Sequence, residues 1–206
     1  MARKKKPLTN ISVQDWIQLS SSPAIQNNIK TDLYSEAYLS LTKLFPKIHK
    51  DQWDGAVTAL HLVYGWMPTI PKLKTYQHWS GADKQRLVNI LQQAGQGKAL
   101  GGPDLHHLKV FSNNSIVGGS KILHFLSPNL FPIWDTRVAR AFYHRSKVYA
   151  QQVNDVDRYL IYQDTLLGWM NSGQVSKQVA TLRSLAPFLG PVSDLRLIEL
   201  VLFHKP

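Results

Sequence analysis

The sequence predicts an all-α protein, and three observations carry that prediction. Apolar residues recur at intervals of three and four in one segment after another, no stretch alternates as a half-buried strand does, and Ser, Gly and Pro clusters cut the chain into helix-sized pieces. No internal repeat competes with it. The 206 residues are 44% hydrophobic, enough for one substantial core or for two small lobes sharing one.

Residues 1–11 read as a basic, flexible tail, free to add phosphate contacts or simply to be solvated. Ser12 caps a short helix containing Trp16, Ile17 and Leu19. The Ser-Ser-Ser-Pro run at 20–23 breaks it, and one long helix is expected over 24–45 with Leu33, Ala37, Leu41 and Leu44 inward. A third helix over 51–64 would bury Trp53, Val57, Leu60 and His61. The next stretch, Gly65-Trp66-Met67-Pro68-Thr69-Ile70-Pro71, holds two prolines and reads as an apolar loop: a plug for the core, or else a pocket wall or a wedge entering a base stack. Tyr76 and Trp79 carry the same two readings. Residues 81–98 form a helix around Leu87, Ile90 and Leu91, ended by Gly95 and Gly97. Leu105, Leu108 and Phe111 then lead into a polar loop over 112–115. A polar, basic link over 143–152 precedes closing helices over 156–170, 175–187 and 193–203.

Charge narrows the partners. Lys and Arg outnumber Asp and Glu by 24 to 13, a net charge of +11, so a polyanion is implied and nucleic acid comes first. There is no run of 18 apolar residues and no secretory h-region, so a soluble, cytoplasmic monomer with no membrane partner is expected. The absence of cysteine excludes disulfides, thiolate zinc sites, a cysteine nucleophile and cysteine-held iron–sulfur clusters. His106 and His107 are adjacent and would point apart on a helix, so neither a metal nor a cofactor is expected.

The stretch that organises the chain is 117–141, VGGSKILHFLSPNLFPIWDTRVARA. Gly118 and Gly119 read as a tight turn, and Ser120 and Lys121 as the opening of a helix whose free N–H groups would seat a phosphate. Ile122, Leu123, Phe125 and Leu126 give that helix an apolar face, which Pro128 and Pro132 bring to an end. Asp135 is suited to cap a second helix, with Val138, Ala141 and Phe142 inward and Arg137, Arg140 and Arg145 outward.

G-G-S-K, an apolar helix, a proline-containing loop and D-T-R-V-A-R-A together resemble the helix-hairpin-helix DNA glycosylases. That family's signature is a glycine hairpin, often with a lysine just after it, and D-T-H-V-x-R downstream. Asp135, Thr136, Val138 and Arg140 match position by position. Arg137 stands where the family usually has His or Asn, and the interval from Lys121 to Asp135 is shorter by about one helical turn. The resemblance implies a single two-lobed helical domain over 12–206, with lobes of 12–50 plus 135–206 and of 51–134, a cleft between them and a hairpin set on double-stranded DNA. It implies a member without the iron–sulfur cluster. It further implies an enzyme that flips out and excises a damaged or modified base and leaves an abasic site. Alkylated and oxidised bases are candidates, as are phage-modified cytosines such as glucosylated hydroxymethylcytosine, which would make the activity a defence. The alternative is a non-catalytic helical DNA-binding module.

Breaking an N-glycosidic bond builds positive charge on the sugar, which a carboxylate can stabilise while orienting water. Asp135 is the only carboxylate in the organising stretch and is the expected catalytic group, although it is also an ordinary cap. Lys121 is either an amine nucleophile or a contact to phosphate or pocket. The second is preferred, hence a monofunctional enzyme. Gly118, Gly119, Ser120, Arg137, Arg140, Arg145 and Lys147 are expected against DNA. Trp66, Met67, Tyr76, Trp79, His124 and Trp134 are candidates for a base pocket or wedge, with His124 and Trp134 also readable as core.

Overall fold

The computed structural model describes residues 9–32, 34–67, 69–72, 76–189 and 192–206, and every regular element among them is helical. The helices run α1 (Val13–Ser20), α2 (Pro23–Lys30), α3 (Ser35–Leu44), α4 (Trp53–Trp66), α5 (Gly81–Gly95), α6 (Gly102–Phe111), α7 (Ile116–Leu126), α8 (Thr136–Phe142), α9 (Ala150–Val153), α10 (Val156–Asn171), α11 (Ser176–Leu185) and α12 (Asp194–Phe203), with single 3-10 turns at Phe45–Lys47 and Pro187–Leu189.

Several starts are written locally. Ser12 and Ser80 each take the N–H three residues on, while Asp15 and Asp83 return to the cap N–H, forming capping boxes for α1 and α5. These bonds hold both aspartates below the usual carboxylate range. Pro23 and Pro103 occupy first-turn positions, where a missing N–H costs nothing.

Two buried helices organise the packing. α7 lies against α4, α5 and α6; α12 lies against α1, α2, α8, α10 and α11. In α12 the run from Leu195 to Leu202 is wholly buried, including Arg196 and Glu199.

The structure corrects several expectations. The helix expected over 24–45 is two, α2 and α3, because Asn27, Asn28, Thr31 and Asp32 are weak helix formers that favour local side-chain bonds. Asp32 instead accepts a hydrogen bond from the Ser35 hydroxyl at 3.0 Å. The buried stripe of α3 is Tyr38, Leu41 and then Phe45, while Ala37 and Leu44 are exposed; Leu33 lies outside the described residues. His61 is exposed and bonds the Val57 carbonyl of its own helix. Gly65 and Trp66 finish α4 rather than beginning a loop, and Pro68 lies outside the described residues. Residues 1–8 also lie outside them, but Ile11, assigned to the flexible tail, is buried and donates its N–H to the Phe142 carbonyl at 2.7 Å. The link over 143–152 contains the start of the short helix α9.

The main correction concerns Gly118 and Gly119. They make no turn; both are buried inside α7. The turn between α6 and α7 falls earlier, at residues 112–115, where Asn113 and Asn114 take the left-handed conformation. The glycines are needed for close approach instead. A Cβ on Gly118 would stand 2.7–3.1 Å from the Tyr64 ring and hydroxyl of α4, and one on Gly119 3.2–3.3 Å from Leu108 and Ser112. Ser120 is fully buried in the same helix, so residues 118–120 offer no exposed helix start to a phosphate.

Candidate active site

The segment from Ser127 to Asp135 has no regular structure, yet six of its nine carbonyls accept a hydrogen bond from a buried or half-buried side chain. Ser193 donates to Pro128 O, Gln163 to Leu130 O, His124 to Phe131 O, Tyr159 to Pro132 O, Tyr162 to Ile133 O and Ser120 to Trp134 O, at distances of 2.7–3.3 Å. A buried carbonyl without a partner costs about 1–3 kcal/mol, so the donors from α7, α10 and α12 fix the path of this segment. Ser120 Oγ also accepts the Trp134 N–H at 3.1 Å. Asp135 is therefore delivered by a rigid arm.

His124 is explained by the same arm. Its Nδ1 donates to Phe131 O and its Nε2 accepts from the Tyr38 hydroxyl at 2.8 Å, so both ring nitrogens are satisfied in the core. Burial pulls its pKa down to about 3, keeping the ring neutral. It belongs to the support of the site, not to a base pocket. Trp134 is likewise core: fully buried, it gives its indole N–H to Val153 O at 2.7 Å and packs on Tyr162.

Asp135 caps α8, its Oδ1 accepting the Val138 N–H at 2.9 Å. The second oxygen makes no hydrogen bond among the described residues, and the half-buried side chain lines a pocket of about 270 Å³. Lys121 lines the same pocket one turn beyond the α7 glycines. Burial lowers its pKa to about 8 against the opposing pull of the Asp135 carboxylate, with the Arg196 charge lowering it further. The ammonium stands 5.1 Å from the centre of the Trp66 ring.

Trp66 and Met67 line the pocket and also pack against the core. The Trp66 ring is wedged against Tyr34, Tyr38 and Phe125. Thr136 and Arg137 border the pocket near the start of α8, and Arg137 lies 4.9 Å from the Phe203 ring. Tyr76 and Trp79 do not join them; they pack around Trp53 and Phe111. Arg140 and Arg145 border a neighbouring cavity, and Lys147 is exposed beside Tyr149.

Sequence reasoning missed Tyr34, Ile133, Arg196, Glu199 and Phe203, which complete the lining. Arg196 and Glu199 form a buried ion pair, with the Arg196 guanidinium 5.0 Å from the Tyr38 ring. Burial lowers the Arg196 pKa, while Tyr38, Asp32 and Asp135 favour its charged form. Glu199 Oε1 is buried without a hydrogen bond among the described residues. The signal was available in DLRLIELVLF: Arg196, Glu199 and Phe203, spaced three and four apart, share one face of a helix otherwise built for the core.

Among the described residues no group of three His, Asp or Glu side chains is placed to hold a metal, and no helix is long and apolar enough to cross a membrane. Comparison with protein-family models, curated proteins and solved structures finds no match to this chain.

Proposed function

We propose that this protein is a DNA N-glycosylase of the helix-hairpin-helix type, excising a damaged or modified base from double-stranded DNA and leaving an abasic site. The observation that carries the proposal is the meeting of Asp135 and Lys121 in one aromatic-walled pocket, with Asp135 on a rigid arm and one carboxylate oxygen uncommitted. A base extruded from the duplex would enter against Trp66 and Met67, at an unstacking cost of a few kcal/mol. As the glycosidic bond lengthens, the sugar becomes cationic, and the free oxygen of Asp135 offsets that charge and orients the attacking water. A carboxylate held by its cap needs no reorganisation at that moment. Lys121 holds counter-charge beside Asp135 and lines the pocket, in keeping with a monofunctional enzyme. The α6–turn–α7 pair stands as the hairpin unit, and the pocket as the cleft between the proposed lobes.

The test is a panel of duplexes carrying alkylated, oxidised, hydroxymethylated and glucosylated bases, scored for released base and alkali-labile sites. Asp135→Asn is expected to lower release by about 10²–10³-fold, while thermal stability changes by less than about 1 kcal/mol because an amide also caps. Tight binding with no release from any duplex would instead favour a non-catalytic DNA-binding module.

A further inference from the structure

The cations of α8 and of the segment after α12 converge on a second cavity. Arg137, Arg140, His144, Arg145, His204 and Lys205 line a basin of about 600 Å³, with Asn28 and Pro206 also on it and no Asp or Glu side chain in its wall. Two acids stand just behind it: Asp15 is 3.7 Å from His144 and Asp32 is 3.6 Å from His204. Neither reaches the arginines. Arg140 and Arg145 are exposed, and these two and Lys205 form no ion pair among the described residues. Asp15 also attracts Lys205, whose Nζ lies 3.4 Å from His144 Nδ1. The cations still outnumber these acids, and like charges in excess repel one another, an arrangement that an incoming polyanion relieves. Arg137 and Phe203 line both this basin and the pocket of Asp135, so the two cavities share a wall.

The turn between α6 and α7 offers much less. It carries no cationic side chain. Asn113 is occupied on both sides, accepting from Lys72 N at 2.6 Å and donating to Ile70 O at 3.2 Å. Ser112 Oγ is turned inward onto the Leu108 and Ser115 carbonyls. Lys109, the nearest lysine on α6, donates to the Asn154 carbonyl.

We propose that the basin between α8 and the end of α12 is the main seat of the DNA sugar–phosphate backbone, holding the phosphates next to a nucleotide whose base occupies the Asp135 pocket, in place of the α6–α7 turn. This rests on the glycosylase reading for the position of that nucleotide, and on charge and shape alone for the phosphates. Such contacts fix register without reading sequence. They also release counter-ions, at about 0.9 per phosphate in the salt slope.

The experiment measures the Kd of the full chain for a labelled, unmodified duplex over a range of salt. R145E/K205E is expected to raise Kd by at least about 10-fold and to lower the salt slope by about 2, one phosphate contact for each cation reversed. K43E/K177E reverses two exposed charges on α3 and α11 and controls for net charge, with a smaller rise and little change of slope. N114D, in the turn at a left-handed position that Asp tolerates, is expected to stay within about twofold. Unfolding curves establish that each variant is folded. The seat is refuted if R145E/K205E weakens binding no more than K43E/K177E, or if N114D weakens it as much as R145E/K205E. The two proposals fail separately: unchanged affinity in R145E/K205E with base release intact sinks the seat alone, whereas basin-dependent binding with no base release from any duplex sinks the glycosylase alone.

Discussion

At the residue scale, Asp135 divides its two oxygens between two tasks, one oxygen capping α8 and the other open to the pocket. A capping residue is usually replaceable, but this one stands at the end of an arm whose carbonyls are clamped one after another. Ser120 is the clamp nearest to it, taking the N–H of Trp134 as well as reaching its carbonyl. Ser120→Ala would leave that buried N–H without a partner, so a loss of about 1–3 kcal/mol is expected in urea unfolding. Base release should fall beyond what the unfolded fraction explains, because the carboxylate loses its fixed position; activity unchanged in the folded fraction would show that Asp135 is held without Ser120. Lys121, with a pKa of about 8, is neutral often enough to react with an aldehyde if it reaches one. Borohydride reduction in the presence of abasic DNA is expected to trap no covalent complex, and a trapped complex lost in Lys121→Met would make the enzyme bifunctional.

At the element scale, the two α7 glycines separate a helix-propensity effect from a packing effect. Alanine gains about 1 kcal/mol over glycine inside a helix. At Gly118 the new methyl meets the ring of Tyr64, which is tethered by its bond to Ser112 O at 2.9 Å, so α4 and α7 must separate. Overpacking of this kind costs about 1–3 kcal/mol, and Gly118→Ala should lower the Tm. Gly119→Ala finds its nearest neighbours, Leu108 and Ser112, at 3.2–3.3 Å, and its expected Tm lies within a few degrees of the parent. Equal Tm values for the two variants would contradict the close approach at Tyr64. These glycines also mark where the sequence misled. A Gly-Gly pair before Ser-Lys has the composition of a turn, and only the partner helices reveal that the space is needed by Tyr64 and Leu108. Helices α1, α5, α10 and α12 were legible from their apolar period, and Ser12 also announced the start of α1; the structure adds Ser80, Asp155 and Ser193 as the caps of the other three. Of the pocket, Asp135, Lys121, Trp66, Met67 and Arg137 were legible as candidates. Arg196, Glu199 and Phe203 were legible only as one polar-edged face of a helix, since their meeting with Asp135 depends on α12 packing against α8, and Tyr34, just before α3, gave no signal.

At the scale of the whole molecule, the shifted groups set a stability profile with pH whose two limbs have different origins. His124 has its pKa moved from 6.5 to about 3, so between those values the unfolded chain binds a proton that the folded chain does not. Its contribution is complete above pH 6.5 and is lost as pH falls towards 3; His204, lowered by burial, acts in the same direction. On the alkaline side Lys121 falls from 10.5 to about 8. Between pH 8 and 10.5 the unfolded state again binds more protons, so stability should rise with pH through that window. Tyr38, Tyr64 and Tyr143 oppose it higher up: burial raises each to about 12, so their contribution is intact below pH 10 and is lost as pH climbs through 12. Urea unfolding at a series of pH values should therefore give a decline below about 6.5, a rise from 8 towards 10 and a collapse beyond. A chain of net charge +11 also gains stability simply by shedding positive charge, and Lys121→Met separates the two causes. Met keeps the apolar contact with Trp66 without the amine, so the variant should be more stable than the parent at pH 7 and should lose most of the rise between pH 8 and 10. If the variant rises as steeply as the parent, Lys121 keeps its ordinary pKa in the folded protein, and the pocket does not hold a partly neutral amine at pH 8.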